Sequence, residues 1–192
     1  LKSIMESIER IHSCQSKIKR DVNIYENYSR KLEKRYNTYD YSSFKNYEKT
    51  FNEINNSLKE YEKNKSGKIC VIHGDTVFTN IIINEYNKIK FIDMRGKVGD
   101  KLTIYGDWLY DWAKLYQSLI GYDEILLNKN ISDEYRKTMI DCFINYFSNL
   151  YSEYDLQNLK TITKSLLFSL IPLHNNEKCE LFYNLIYSEY LS

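Results

Sequence analysis

The 192-residue chain is poor in the two residues that most often interrupt regular structure. It contains six glycines and a single proline, Pro172. A sandwich or barrel of many short strands needs frequent turn residues, so this scarcity argues against such folds and favours long helices. The four cysteines are also scattered, with neither a CxxC pair nor a metal-type spacing. We therefore expect reduced, mostly buried thiols rather than a disulfide framework.

The chain also lacks an excess of charge and a long apolar run. Its 27 lysines and arginines nearly balance 26 acidic residues, which leaves no strong field to attract nucleic acid or an anionic membrane. The longest apolar stretch, around residues 166–173, is far too short to span a bilayer. The first ten residues contain acids and no apolar core of a signal peptide. We expect a single cytoplasmic domain with neither a nucleic-acid nor a membrane partner.

Apolar residues recur at three- and four-residue spacing over most of the chain, which predicts amphipathic helices. The predicted helices cover the first twenty residues, two segments between Asp21 and Lys65, Asp107 to Leu119, Tyr135 to Leu150, Leu156 to Leu170 with an end before Pro172, and Asn175 to Leu191. The aromatic residues between Asp21 and Lys65, among them Tyr25, Tyr28, Tyr36, Tyr47 and Tyr61, are predicted to pack in the core with their hydroxyl edges in water.

A different pattern interrupts the helices after residue 68. Three short β-prone runs begin at Ile69, Ile81 and Ile89, and turn residues separate the last two, which predicts a hairpin. The segment from Arg95 to Tyr105 contains two glycines and is predicted to be a loop. The expected fold class is therefore mainly α with a small β hairpin insert, an α+β lobe.

This β insert carries most of the chemical information. It reads HGDTVFTN from His73 to Asn80, and the next hairpin strand ends at Asp93. Phosphoryl transfer needs an acceptor for the hydroxyl proton and oxygen ligands for the Mg²⁺ that clamps the phosphates. Asp75 fits the first role, and Asn80 and Asp93 fit the second because Mg²⁺ prefers oxygen ligands. His73 is predicted to brace the loop by hydrogen bonds.

Together with GDWLYDWAKL at residues 106–115, these motifs resemble the aminoglycoside phosphotransferase and choline kinase family. The resemblance covers residues 1–122 and implies the C-terminal lobe of a protein-kinase-like fold. It further implies ATP or GTP as phosphate donor, Mg²⁺ as cofactor, and a small acceptor of choline, aminoglycoside or sugar type. In that family the second aspartate of a D-x-x-x-D-x-A helix start supports the catalytic loop, which here is Asp111, with Asp107 as the first.

The sequence departs from a complete kinase upstream of the loop. Such an enzyme covers the phosphates with a Gly-rich turn and pairs a lysine with a helix glutamate. Only Gly67 precedes Gly74, and the residues before it have a helical pattern. We therefore expect the N-terminal nucleotide-binding lobe to be absent from this chain, which starts at Leu1 rather than Met, and to be supplied by a preceding domain. On this interpretation the chain is inactive alone.

Two other functions remain open. One is a non-catalytic, pseudokinase-like module that binds a partner or helps assembly, because such a module could also lack the N-terminal lobe. A metal-dependent hydrolase is the other, with His73, Asp75, Asp93 and Asp107 as a metal cluster. Dinuclear phosphatases generally use several histidines, and this chain has three in total, of which only one lies in the motif.

Several side chains near the motif are candidate substrate contacts. Arg95 and the lysines that follow it suit a phosphate or another anionic group. Trp108 and Trp112 suit a cage for a quaternary ammonium such as choline, although packing in the core of the lobe is the favoured interpretation. Asp123 fits either a cationic substrate or a helix cap. His12 stands alone and is predicted to be a structural or surface residue.

Overall fold

The computed structural model describes residues 1–15, 21–174 and 177–192, and these residues form a mainly helical structure with small antiparallel sheets. The helices in the described ranges are α1 (Lys2–Ser13), α2 (Ser29–Thr38), α3 (Tyr47–Lys63), α4 (Trp108–Leu119), α5 (Tyr122–Leu127), α6 (Asp133–Leu150), α7 (Glu153–His174) and α8 (Lys178–Leu185). The α+β class expected from the sequence is thus confirmed.

The strands all lie between α3 and α4 and form three separate two-stranded antiparallel sheets. They are β1 (Ile69–Val71), β2 (Ile81–Ile83), β3 (Ile89–Phe91), β4 (Lys97–Val98), β5 (Lys101–Leu102) and β6 (Tyr105–Asp107). The predicted hairpin is β2–β3, with Ile81 opposite Phe91. Its register brings the residues that precede β2 and those that follow β3 to the same end of the hairpin.

The segment predicted as a loop contains strands that the sequence did not reveal. A two-residue hairpin, β4–β5, occupies its middle, and β6 at its end pairs with β1 so that Cys70 lies opposite Gly106. Two-residue strands are too short for a two-residue period to be recognised. In addition, β6 contains a glycine and an aspartate, residues that are depleted in strands. The β1–β6 pair brings the start of α4 next to the chain that enters the HGDTVFTN loop.

Helix α4 occupies the centre of the lobe. Every residue of α4 except Lys114 is buried, and the helix packs against α7 as well as α1, α5 and α6. Burial of apolar surface on all sides supplies most of the stabilisation of such a helix. Asp111 and Lys114 are its only charged residues. A rigid, enclosed helix therefore presents both charges at fixed positions.

Helix α7 contains Pro172, although the sequence predicted that the helix would end before it. Proline has no N–H, so it leaves the carbonyl oxygen four residues earlier, that of Phe168, without its helical partner. The hydroxyl of Tyr41 donates a hydrogen bond to this oxygen at 3.1 Å. A tertiary hydrogen bond thus replaces the missing helical one and allows the helix to continue.

We predict that Tyr41→Phe destabilises the protein by about 1–3 kcal/mol because the Phe168 carbonyl then stays buried without a partner. The same change in a Pro172→Ala background should cost less, since the alanine can supply the missing N–H. Urea unfolding of the two single variants and the double variant measures this coupling. Tyr36→Phe is the control, since its hydroxyl makes no hydrogen bond with a described residue. If the effects of the two single variants on stability simply add in the double variant, the Tyr41 hydroxyl does not replace the helical hydrogen bond that Pro172 cannot form.

The ends of the first and last predicted helices differ from the structure. Helix α1 stops at Ser13, and Cys14 and Gln15 are not helical, whereas the rest of the predicted helix, residues 16–20, lies outside the described residues. The final predicted helix begins at Asn175, which also lies outside them. Its remainder is α8 and a 3₁₀ turn at Glu189–Leu191, separated by the extended backbone of Ser188.

None of the four cysteines forms a disulfide, as predicted. The prediction that they are mostly buried was wrong, because Cys14 and Cys142 are exposed, Cys70 is half-buried and only Cys179 is buried. Cys142 lies on the solvent face of α6, and Cys14 directly follows the end of α1.

As for membranes, the helices in the described part of the chain are either too short or too polar to cross a bilayer.

Candidate catalytic loop

The HGDTVFTN loop is attached to the centre of the lobe by the carboxylate of Asp111. This side chain is fully buried, and its two oxygens accept hydrogen bonds from the backbone N–H groups of His73 at 2.9 Å and Gly74 at 2.7 Å. The ring of His12 on α1 lies 3.1 Å from the same carboxylate. A buried carboxylate requires such partners to offset its lost hydration. Asp111 therefore lies where the sequence predicted a support for the loop, and His12 has a structural position.

Gly74 allows the loop to approach the chain that follows β3. Its φ of +81° lies in the left-handed region, and a Cβ atom there would come within 2.9 Å of the Cβ of Arg95. The N–H of Arg95 donates to the carbonyl of His73 at 3.0 Å across this contact. Only glycine fits both the conformation and the close approach.

His73 contributes to the loop through its ring as well as its backbone. The ring is buried, lies 5.5 Å from the ring of Phe91, and its Nδ1 accepts a hydrogen bond from the N–H of Asp75 at 3.3 Å. This arrangement fixes the direction in which the chain leaves His73. The geometry is that of a bracing residue, as the sequence predicted.

Asp75 is held in a half-exposed position by two neighbours. Lys114 on α4 places its Nζ 3.0 Å from one carboxylate oxygen of Asp75. The Nδ2 of Asn80 donates to the other carboxylate oxygen at 3.1 Å and to the backbone carbonyl of Asp75 at 3.0 Å. The Asp75 side chain remains 37% exposed, whereas that of Lys114 is only 17% exposed. A small molecule can therefore reach the carboxylate.

A cluster of positive charge surrounds Tyr110, one turn before Lys114 on α4. Arg95 donates a hydrogen bond to the Tyr110 hydroxyl at 2.6 Å. Burial opposes ionisation of this hydroxyl, yet the nearby charges of Lys31, Arg95 and Lys114 hold the pKa of Tyr110 below its ordinary value. Burial also opposes the charge of Lys114, but Tyr110 and Asp75 raise its pKa above the usual range.

Sequence reasoning assigned no role to Lys114 or Lys31. For Lys114 a signal was available, because it is the only cation in α4 and lies four residues after Tyr110, on the same face of the helix. For Lys31 the sequence contains no such signal, because Lys31 on α2 comes near Tyr110 and Lys114 only in the tertiary fold.

Asp93 lies between two backbone hydrogen bonds to the HGDTVFTN loop. On one side the N–H of Ile92 donates to the carbonyl of Asn80 at 3.0 Å, and on the other side the N–H of Arg95 donates to that of His73. Asp93 is exposed and has a φ of +56°. A non-glycine residue in this region costs about 1–3 kcal/mol, and such strain is concentrated at functional sites.

The donor set at this end of the hairpin fits Mg²⁺. The amide of Asn80 uses its Nδ2 on Asp75, which leaves its oxygen for a cation, and the carboxylate of Asp93 is accessible. Mg²⁺ is usually held by one or two carboxylates together with substrate phosphates and water. Within the described residues, no three His, Cys, Asp or Glu side chains form a group able to hold a metal. The cluster expected for the hydrolase alternative, of His73, Asp75, Asp93 and Asp107, is thus not formed in the described structure.

Asp107 supports other elements than the loop. Its carboxylate accepts hydrogen bonds from the hydroxyls of Tyr28 at 2.5 Å and Tyr61 at 2.7 Å and from the N–H of Lys68 at 3.0 Å. Burial raises the pKa of Asp107, and the two tyrosine hydroxyls counteract this rise. Asp107 thus joins α2 and α3 to the chain entering β1. The prediction that the tyrosine hydroxyls face water is wrong for Tyr28 and Tyr61, because both hydroxyls form hydrogen bonds inside the core.

Trp108 and Trp112 are not available to a substrate. Trp108 is 4% exposed and Trp112 is fully buried, and both pack against Phe147 at ring-centroid distances of 6.2 and 5.7 Å. The interpretation of these rings as an ammonium cage is wrong because α4 is enclosed on all sides. Of the three candidate substrate contacts, only Arg95 borders an open groove.

Asp123 does not cap its helix, because the residue at the start of α5 is Gly121. Its carboxylate is buried, makes no hydrogen bond within the described part of the chain, and lines a mostly apolar cavity of about 420 Å³.

Comparison with protein-family models, with curated proteins and with solved structures finds no match to this chain.

Proposed function

We propose that the chain is the catalytic lobe of an ATP-dependent phosphotransferase that transfers the γ-phosphate to a hydroxyl group of a small molecule. The observation that carries this proposal is the arrangement at the tip of the loop. Asp111 fixes the loop backbone, Asp75 is accessible and bonded to Asn80, and the backbone on both sides of Asp93 is hydrogen-bonded to the loop. The resemblance of the motifs to the aminoglycoside phosphotransferase and choline kinase family supports the same function.

In the proposed reaction, the acceptor oxygen forms a bond with the γ-phosphorus and the bond from that phosphorus to the β–γ bridging oxygen breaks. ADP leaves, and the acceptor proton passes to the carboxylate of Asp75. Asn80 and Asp93 would hold Mg²⁺, which when bound neutralises phosphate charge. Lys114 lies 3.0 Å from Asp75 and adds a fixed positive charge close to the reacting oxygen atoms.

A second lobe is part of this proposal. The described residues before β1, which are 1–15 and 21–68, contain helices and no strand. A phosphotransferase of this type needs a cover over the nucleotide phosphates. We propose that a preceding domain or a partner supplies it.

We predict that Asp93→Asn weakens Mg²⁺-dependent ATP binding by about tenfold or more, because an amide replaces a charged oxygen ligand. Titration calorimetry on the full-length protein, with and without Mg²⁺, measures the effect. Asp141→Asn on the exposed face of α6 is the matched control and should leave the affinity unchanged. Equal binding by Asp93→Asn and wild type would place the metal elsewhere, and metal-independent binding would contradict the proposed cofactor.

A further inference from the structure

A groove with strong positive charge runs beside the catalytic loop. It lies between α2, with the segment that leads into it, and the chain after Asp93, and it has a volume of about 580 Å³. This is the size of a small-molecule site. Seven lysines and arginines line the groove, against two acidic residues, Glu26 and Asp100. Since the whole chain has a net charge of only +1, positive charge is concentrated here.

Most of this positive charge is not neutralised by the protein. Arg30 pairs with Glu26 at 2.9 Å and Lys101 pairs with Asp21 at 3.0 Å. The remaining cations form no ion pair with any described residue; they are Lys31, Lys34, Arg35, Arg95 and Lys97.

Lys31 shows the consequence of this crowding. Burial lowers its pKa, Tyr110 counteracts this effect, and the neighbouring charges of Arg95 and Lys114 lower the pKa further. Like charges that face one groove repel each other, and a bound anion relieves that repulsion.

The groove continues into the catalytic loop through two side chains of α4. Arg95 borders the groove and donates to the hydroxyl of Tyr110 at 2.6 Å. Lys114 follows one turn later and contacts Asp75 at 3.0 Å. Neither Asn80 nor Asp93, the residues suited to Mg²⁺, lines the groove. The groove is thus adjacent to the proposed base but separate from the proposed metal ligands.

We propose that this groove binds the anionic part of the phosphate acceptor, so that the acceptor is a small hydroxyl compound that already carries a phosphate group. This inference rests on the proposed function. Arginine and lysine recognise phosphate by charge-assisted hydrogen bonds, and arginine does so with two parallel donors. A cationic acceptor such as choline or an aminoglycoside would meet repulsion from the same groups. The acceptor class suggested by the family resemblance is therefore not the one that this groove favours.

The test compares glucose 6-phosphate with glucose, two probes that differ only in the phosphate group. Saturation-transfer NMR on the full-length protein should detect binding of glucose 6-phosphate and not of glucose. The double variant K34E/K97E reverses two exposed charges of the groove and should weaken binding of glucose 6-phosphate by about tenfold or more. The matched control K63E/K137E makes the same change in net charge at exposed positions on α3 and α6 and should have little effect.

Three results would overturn the proposal: equal signals for the two probes, equal losses in the two double variants, or competitive displacement of glucose 6-phosphate by Mg²⁺–ATP. The last result would assign the groove to the nucleotide phosphates. Asp75→Asn should still bind glucose 6-phosphate, because Asp75 does not line the groove. If the groove proposal is wrong, the binding measurements show it. If the proposed function is wrong, Asp75→Asn retains phosphoryl transfer.

Discussion

Replacement of Asp75 by asparagine is expected to lower phosphoryl transfer by the full-length protein by about 10²–10⁴-fold. Asparagine has nearly the same shape and can still accept the hydrogen bond from Asn80. It cannot accept a proton from the acceptor hydroxyl at neutral pH. The loss should therefore fall on the turnover number and leave the affinity for Mg²⁺–ATP within about twofold, since Asp93 and Asn80 remain in place.

The ion pair with Lys114 requires a second measurement. Asp75→Asn removes the charge partner of a largely buried lysine, but Asp75 itself is 37% exposed and water can replace part of the interaction. We expect a stability loss of about 1 kcal/mol, measured by urea unfolding, which is too small to unfold a typical domain.

Asp141→Asn is again the control and should retain full turnover. Turnover by Asp75→Asn within about tenfold of wild type would show that Asp75 is not the base.

The elements that the sequence revealed are those whose information is local. Helix α4 follows from apolar residues at helical spacing, and the β2–β3 hairpin follows from two β-prone runs around turn residues. The positions of Asp75, Asn80 and Asp93 follow from the same patterns, since the hairpin register places the chain before β2 beside the chain after β3. Local patterns therefore located the loop and its acidic residues.

The rest depends on contacts between distant segments. Lys31 on α2 and Tyr110 on α4 are close enough to shift each other's pKa only because the tertiary fold brings them together. Pro172 stays inside α7 because Tyr41, which lies 127 positions before Phe168, supplies a hydroxyl to the Phe168 carbonyl. The charge of the groove is likewise invisible in a composition that is nearly neutral. Pairing across large separations has no periodic signature.

The second large effect is expected from Asp111→Ala, which leaves the N–H groups of His73 and Gly74 without their acceptor. Each buried, unpaired donor costs about 1–3 kcal/mol, so the protein should lose about 2–6 kcal/mol of unfolding free energy. The backbone of His73 and Gly74 then loses its attachment to α4, whereas Thr76 and Phe78 keep their hydrogen bonds to the Asp111 carbonyl and the Ser118 hydroxyl. A displacement of about 1 Å at Asp75 is enough to lower turnover by about 100-fold.

A comparison with Ile140→Ala separates this positioning role from general destabilisation. Ile140 is 3% exposed on α6, far along the chain from the loop, and its truncation should cost a similar 2–5 kcal/mol or so. Ile140→Ala should lower protection against amide hydrogen exchange evenly across the core and keep the turnover of the folded protein. Asp111→Ala should lower protection most at His73 and Gly74 and lower turnover as well. If the two variants showed the same exchange pattern and both retained turnover, Asp111 would stabilise the fold without positioning the loop.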